Sequence, residues 1–113
     1  MSGTLIARKV RSLSDSVGMT RDEVSQITGS SPRTVARWVS GESLPQRVSR
    51  DRLLELVYVA EQLSRVMTKE AANLWLFSPN PMLDHQRPAD RIKAGDFQSV
   101  LNLIEALADG VVF

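Results

Sequence analysis

The 113-residue chain contains no cysteine and only one histidine. Disulfide bonds and thiolate metal sites are therefore excluded, and a reducing cytoplasmic setting fits this composition. His85 has neither a second histidine nor a cysteine to share a metal with, so we interpret it as a surface or capping residue. We expect no metal and no cofactor.

Long apolar runs and catalytic motifs are also missing. The longest apolar segments, residues 56–60 and 74–77, are far too short to cross a membrane. The N-terminus lacks the apolar stretch of a signal peptide. Acidic residues are scattered along amphipathic patterns, and there is no glycine-rich phosphate loop. We expect a cytoplasmic protein that is not an enzyme and contacts no membrane.

The net charge of +1 conceals two halves of opposite sign. Residues 1–52 hold nine Lys/Arg and five Asp/Glu, a balance of +4. Residues 53–113 hold five and eight, a balance of −3. A basic half favours contact with phosphates, whereas the acidic half must serve another purpose.

Apolar residues recur at helical spacing throughout, and no segment alternates with the period of two typical of strands. The pattern predicts an all-α fold. A first helix is expected at about residues 3–17. A long helix follows the loop at 41–46 and runs to about Met67. Further helices are expected from Thr68 to 77, around 89–94, and at 97–108. Three prolines between residues 79 and 88 predict a rigid connection before the short helix.

The segment from Thr20 to Gly41 predicts two short helices joined by a tight turn. Thr20 and Glu23 are expected to form a capping box at the start of the first helix, and Gly29 is expected to end that helix in a left-handed conformation. Ser31 caps the second helix, with Pro32 in its first turn.

The second of these helices has an apolar side with Val35, Trp38 and Val39, and a polar side that carries arginines but no acid. This pattern is typical of a helix-turn-helix that binds DNA, although an ordinary helical hairpin is the alternative. We interpret Trp38 as a core residue rather than a base-stacking one. The predicted DNA-binding residues are Ser31, Arg33, Thr34, Arg37, Arg47 and Arg50.

The second half carries a family resemblance. The residues NLWLFSPNPMLDHQRPADRIKAGDFQSVLNLIEAL resemble the C-terminal domain of Xre–MbcA–ParS antitoxins, and SSPRTVARWVSG followed by LPQR, with Trp38, resembles their helix-turn-helix half. The matching parts of the C-terminal domain are Trp75, Asn80 and Pro81, Pro88 to Asp90, Gly95, and the final helix at 97–108.

The resemblance implies an antitoxin that binds a RES-domain toxin, an enzyme that degrades NAD, and covers its active site. Such complexes often bind and repress their own promoter. Residues 1–50 would then form the helix-turn-helix region, 51–67 a central connecting and dimerisation helix, and 68–113 the toxin-binding region. Operator DNA and a homodimer within a larger toxin–antitoxin complex are the other expected partners. The alternative is a stand-alone repressor whose second half only oligomerises.

The segment Val111, Val112 and Phe113 is apolar although it follows a helix stop at Gly110. One interpretation is that these residues fold back onto the core or a dimer interface. The other, which the resemblance favours, is that they insert into the active-site cleft of the toxin and neutralise it.

Overall fold

A computed structural model of the chain describes residues 3–110, and the regular elements in that range are helices joined by turns. Among these described residues the only β-type pairing is an isolated bridge between Asn80 and Gln86. The predicted all-α fold is confirmed. Within the same range, none of the helices has the length and apolar character needed to span a membrane. The seven α-helices are α1 Gly3–Val17, α2 Arg21–Thr28, α3 Pro32–Ser40, α4 Arg47–Ser64, α5 Lys69–Leu76, α6 Pro88–Lys93 and α7 Phe97–Ala108.

The ends of α2 and α3 follow the local signals in the sequence. The Thr20 side chain accepts a hydrogen bond from the Glu23 backbone N–H, and the Glu23 carboxylate accepts one from the Thr20 N–H at 2.9 Å. Ser31 caps α3 by accepting from the Thr34 N–H at 3.1 Å. Gly29 and Gly41 both adopt left-handed backbone conformations, with φ of 76° and 82°. A turn of three residues, 29–31, therefore separates the two helices.

The prediction that the long helix continues to about Met67 is wrong. Helix α4 ends at Ser64, and a turn follows in which the Val66 N–H donates to the Leu63 carbonyl. The reason lies in the next helix: Thr68 caps α5 by accepting from the Ala71 N–H at 3.2 Å, so the chain must change direction before residue 68. Helix α4 also begins earlier than residue 51, at Arg47.

One continuous apolar core runs through both halves of the described chain. Helix α4 lies at its centre and packs against α1, α2, α5, α6 and α7. Leu53, Leu56 and Leu63 of this helix are fully buried. Burying an aliphatic side chain of this size stabilises the fold by about 1.5–3 kcal/mol. The two halves are therefore parts of one folded unit.

Asn73 joins the two halves by a polar contact. Its amide nitrogen, on α5, donates to the carbonyl oxygens of Val17 at 2.9 Å and Gly18 at 3.2 Å. These carbonyls lie at the C-terminal end of α1, where backbone acceptors have no partner within their own helix. The Asn73 side chain on α5 thus caps the C-terminal end of α1, although the two residues are more than fifty positions apart in the chain.

We expect Asn73→Ala to lower the free energy of unfolding by about 1–3 kcal/mol, because two partly buried carbonyls lose their donor. Denaturant titration followed by circular dichroism measures this. The matched control is Asn102→Ala on α7, where the amide oxygen accepts only from exposed Gln98. Equal unfolding midpoints for the two variants would show that the Asn73 contact is not stabilising.

Candidate functional site

Helix α3 presents a cationic face to solvent. Val35 and Trp38 are buried, with 0% and 1% exposure, and they anchor the helix on the core. Arg33 and Arg37 are exposed one turn apart. Trp38 therefore belongs to the core and is not available to stack on a base.

The hydroxyl groups at the start of α3 are already partly engaged. Ser31 Oγ accepts from the Thr34 backbone and donates to Thr34 Oγ1 at 2.9 Å. The Thr34 hydroxyl keeps its own proton for an outside acceptor. Ser31 is thus first a helix cap, and Thr34 is the hydroxyl better placed to reach a ligand.

The polar face of α3 adjoins the beginning of α4. Thr34 and Ser31 line a hollow of about 510 Å³ together with Gln46 and Ser49. A hydrogen bond of 3.0 Å between the Ser30 and Ser49 hydroxyls closes one wall. Gln46 makes no side-chain capping bond to α4, so the positive end of that helix faces this region without a side-chain acceptor.

Four of the predicted DNA-binding residues are arginines that make no ion pair within residues 3–110. All ion pairs in that range use Arg52, Arg87 or Arg91 instead. The side chains that remain free are exposed on α3 or in the first turn of α4: Arg33, Arg37, Arg47 and Arg50. This surface therefore carries uncompensated positive charge.

The proline-rich connection between α5 and α6 is a closed turn. Asn80 Oδ1 accepts from the Met82 N–H at 2.9 Å and caps a 3-10 turn, Pro81–Leu83. The Asn80 N–H donates to the Gln86 carbonyl at 3.0 Å, and the His85 N–H donates back to the Asn80 carbonyl at 2.9 Å. His85 is exposed, and its φ of 63° places it in the left-handed region. The proline-rich connection is therefore an ordered turn closed by its own hydrogen bonds.

Arg91 holds this turn against the last two helices. Its guanidinium donates to the Leu83 carbonyl at 3.2 Å, to Asp84 Oδ2 at 3.4 Å and to Asp96 Oδ2 at 3.0 Å, and it also binds the Gln86 side chain. Asp96 caps α7 through the Ser99 N–H. The hydrogen bonds from Ser99 and Arg91 hold the pKa of Asp96 below its ordinary value.

The start of α6 uses the Pro-Ala-Asp sequence in a specific way. Pro88 is buried in the first turn, where its missing N–H has no cost. Asp90 receives two hydrogen bonds from Arg87, at 2.7 and 2.8 Å, and these lower the pKa of the Asp90 carboxyl. The Arg87 guanidinium also lies 5.8 Å from the centre of the Phe77 ring.

Gly95 follows α6, and a side chain there would be strained and would displace the end of the Arg52 side chain. Its φ is +93°, and a Cβ atom there would lie 2.8 Å from Nη2 of Arg52. Arg52, on α4, donates to the Lys93 carbonyl and forms an ion pair with Glu55 at 3.1 Å. The glycine therefore accepts the left-handed backbone and leaves room for the Arg52 guanidinium at the end of α6.

An apolar groove lies exposed on α5. We call it the α5 groove; it has a volume of about 370 Å³ and is lined by Met67, Ala71, Leu74, Trp75, Ser78, Pro79 and Asn80. Leu74 is 70% exposed, whereas Trp75 is half-buried and packs against the core. Met82, on the following turn, is 57% exposed. An apolar surface of this kind is typical of an interaction site.

The predicted tail contact cannot be located in the structure, and several structural contacts had no counterpart among the sequence predictions. Val111, Val112 and Phe113 lie outside the described residues. The contacts of Asn73, Arg52 and Arg91 have no signature in the sequence, because each depends on partners brought close by folding. Within residues 3–110 no group of three or more metal-ligating side chains occurs.

Comparisons with known proteins agree with this arrangement. A family model described as the antitoxin Xre/MbcA/ParS C-terminal toxin-binding domain matches residues 56–110. The mycobacterial cidal antitoxin MbcA of Mycobacterium tuberculosis is 45% identical over 111 residues, which cover 98% of each chain. A probable mycobacterial cidal antitoxin of the same organism is 32% identical over 93 residues, covering 82% of this chain and 79% of its own length.

A solved structure shares the fold. The crystal structure of the M. tuberculosis MbcT–MbcA toxin–antitoxin complex contains a chain that matches with a TM-score of 0.86 and 45% identity, covering 96% of this chain and 98% of that one. Sequence and fold thus agree over nearly the whole length. The chain belongs to the Xre/MbcA/ParS antitoxin family.

Proposed function

We propose that this antitoxin neutralises a RES-domain, NAD-degrading toxin by binding it with the C-terminal region and covering its active site, without being an enzyme itself. The observation that carries the proposal is the exposed apolar groove on α5 inside residues 56–110, the range that matches a toxin-binding domain. A stand-alone repressor would have no need of a toxin-binding domain, so the antitoxin is the better-supported function.

The α5 groove supplies the features of a protein-binding hot spot. Leu74 projects into solvent beside the half-buried ring of Trp75, and Pro79 and Asn80 form the far end. The turn behind it is held by Arg91, so little ordering is required on binding. Binding energy in such contacts is concentrated in a few apolar anchors surrounded by polar residues.

We expect Leu74→Asp to weaken toxin binding by about 2 kcal/mol or more, because a carboxylate would replace an apolar anchor. Isothermal titration of purified toxin with each variant measures the dissociation constant. The matched control is Leu44→Asp, since Leu44 is 53% exposed but lies outside the range matched by the toxin-binding domain. If both variants bind toxin as tightly as the wild type, the α5 groove is not the docking surface.

The apolar residues 111–113 are the second proposed toxin contact. They follow the left-handed Gly110, at the end of α7 and within the toxin-binding half. We propose that they enter the active-site cleft and exclude its substrate. The family supports this assignment, because an antitoxin that covers an active site needs a small apolar element able to enter a cleft.

Deletion of residues 111–113 should abolish or sharply reduce inhibition of the toxin while leaving binding to DNA intact. Toxin activity is followed as loss of NAD, with antitoxin added in increasing ratio. The shortened chain should still bind the toxin through the α5 groove, although it no longer inhibits the toxin. Full inhibition by the shortened chain would overturn the plug proposal.

We further propose that the basic half binds operator DNA and represses the antitoxin's own operon, as a homodimer within a larger toxin–antitoxin complex. Helices α2 and α3 would act as a helix-turn-helix with α3 in the major groove. Support comes from Arg33 and Arg37, which are exposed and make no ion pair within residues 3–110. The start of α4, which lies beside Thr34, has no side-chain acceptor for its backbone N–H groups. Ser31, Arg47 and Arg50 would contact phosphates, to which unpaired cations and a helix N-terminus are both attracted.

Arg33→Ala and Arg37→Ala should each cost about 1–3 kcal/mol in operator affinity if the arginine reads a base, or lower the salt slope by about one if it holds a phosphate. Fluorescence anisotropy at several salt concentrations distinguishes these. Lys93→Ala, an exposed cation in the last turn of α6, serves as the control. Normal promoter binding by both arginine variants would show that α3 is not the recognition helix.

A further inference from the structure

We propose that the side chain of His85 contacts the toxin, and that the left-handed backbone on which it stands is retained for that contact. The inference rests on the proposed toxin-binding function and adds to it a residue that does not line the α5 groove. It depends on the backbone conformation of the turn between α5 and α6, which the apolar contact does not explain.

Residues 83–86 form a tight turn whose two central residues are both left-handed. The Gln86 N–H donates to the Leu83 carbonyl at 3.0 Å, and φ is 55° at Asp84 and 63° at His85. Positive φ at both central residues is the pattern of a type I′ turn. Aspartate is common at the first central position of such turns, whereas glycine strongly dominates the second. His85 therefore occupies a position that favours glycine.

The fold does not use the His85 side chain. A Cβ atom is disfavoured in the left-handed region because it approaches the following carbonyl oxygen. The turn is closed by backbone groups, including the His85 N–H, which donates to the Asn80 carbonyl at 2.9 Å, and a glycine could make the same bond. The imidazole is exposed and makes no hydrogen bond or ion pair within residues 3–110, so nothing there offsets the strain. Strain of this kind is concentrated at functional contacts.

The position of His85 in the fold indicates the toxin as its partner. Asn80, whose carbonyl accepts from the His85 N–H, also lines the α5 groove, so the two surfaces are continuous. Met82, between them in the chain, is 57% exposed, whereas Leu83 is buried and anchors the turn on the core. Apolar anchors in protein interfaces are surrounded by contacts that exclude water. A toxin seated on the groove would meet the imidazole at the edge of its apolar contact.

Replacing the histidine by glycine tests the inference, because stability and affinity should then change independently. His85→Gly should raise the toxin dissociation constant about fivefold or more, since the contact is lost. The midpoint of thermal unfolding should stay unchanged or rise, because glycine adopts the left-handed region without strain. Isothermal titration with purified toxin measures the affinity, and circular dichroism during heating measures the midpoint.

The control is Asp15→Gly, at an exposed position within α1, which should lower the midpoint and leave the toxin affinity unchanged. Wild-type affinity in His85→Gly would overturn the inference and leave the proposed function intact. A lowered midpoint in His85→Gly would also overturn it, because the side chain would then serve the fold. Failure of the wild-type chain to bind the toxin would overturn the proposed function, and the inference with it.

Discussion

The burial of α4 is the constraint on which the rest of the structure depends. This helix packs against α1 and α2 from the first half and against α5, α6 and α7 from the second, and its leucines at 53, 56 and 63 have no exposed surface. A core with one shared central helix cannot lose one half and keep the other. The basic surface and the apolar α5 groove are therefore positioned relative to each other by the same packing.

Local signals explain why much of the fold could be predicted from the sequence. A capping box, a left-handed glycine or a proline in a first turn acts within four residues, so the ends of α2 and α3 can be located without knowledge of the fold. The end of α4 was harder to locate, because Val66 and Met67 continue the apolar pattern through a turn. The contact from Asn73 to Val17 spans 56 residues, and no local pattern could reveal it.

The candidate surfaces were predictable to different degrees. Arg33 and Arg37 could be assigned to a solvent face, because Val35 and Trp38 fix the opposite face of a short helix. Leu74 offered no such signal, since it lies in an apolar run with Trp75 and Leu76, and only Leu76 is fully buried. The same uncertainty applies to Tyr58 on α4. Exposure of an apolar residue depends on how many neighbours reach it, which is a property of the packed fold.

Four of the eight acids in residues 53–113 serve the structure of the chain itself. Glu55, Asp84, Asp90 and Asp96 each bind an arginine of the same chain, and Asp96 also caps a helix. Acids engaged in this way present little free negative charge to a partner. These acids help to hold the connection between α5 and α7 in place. Arg91, on α6, binds both the Leu83 carbonyl in the proline-rich turn and Asp96, which caps α7. A groove backed by such a connection loses little conformational entropy on binding, which is why we assign toxin affinity to apolar contact on α5 rather than to the negative charge.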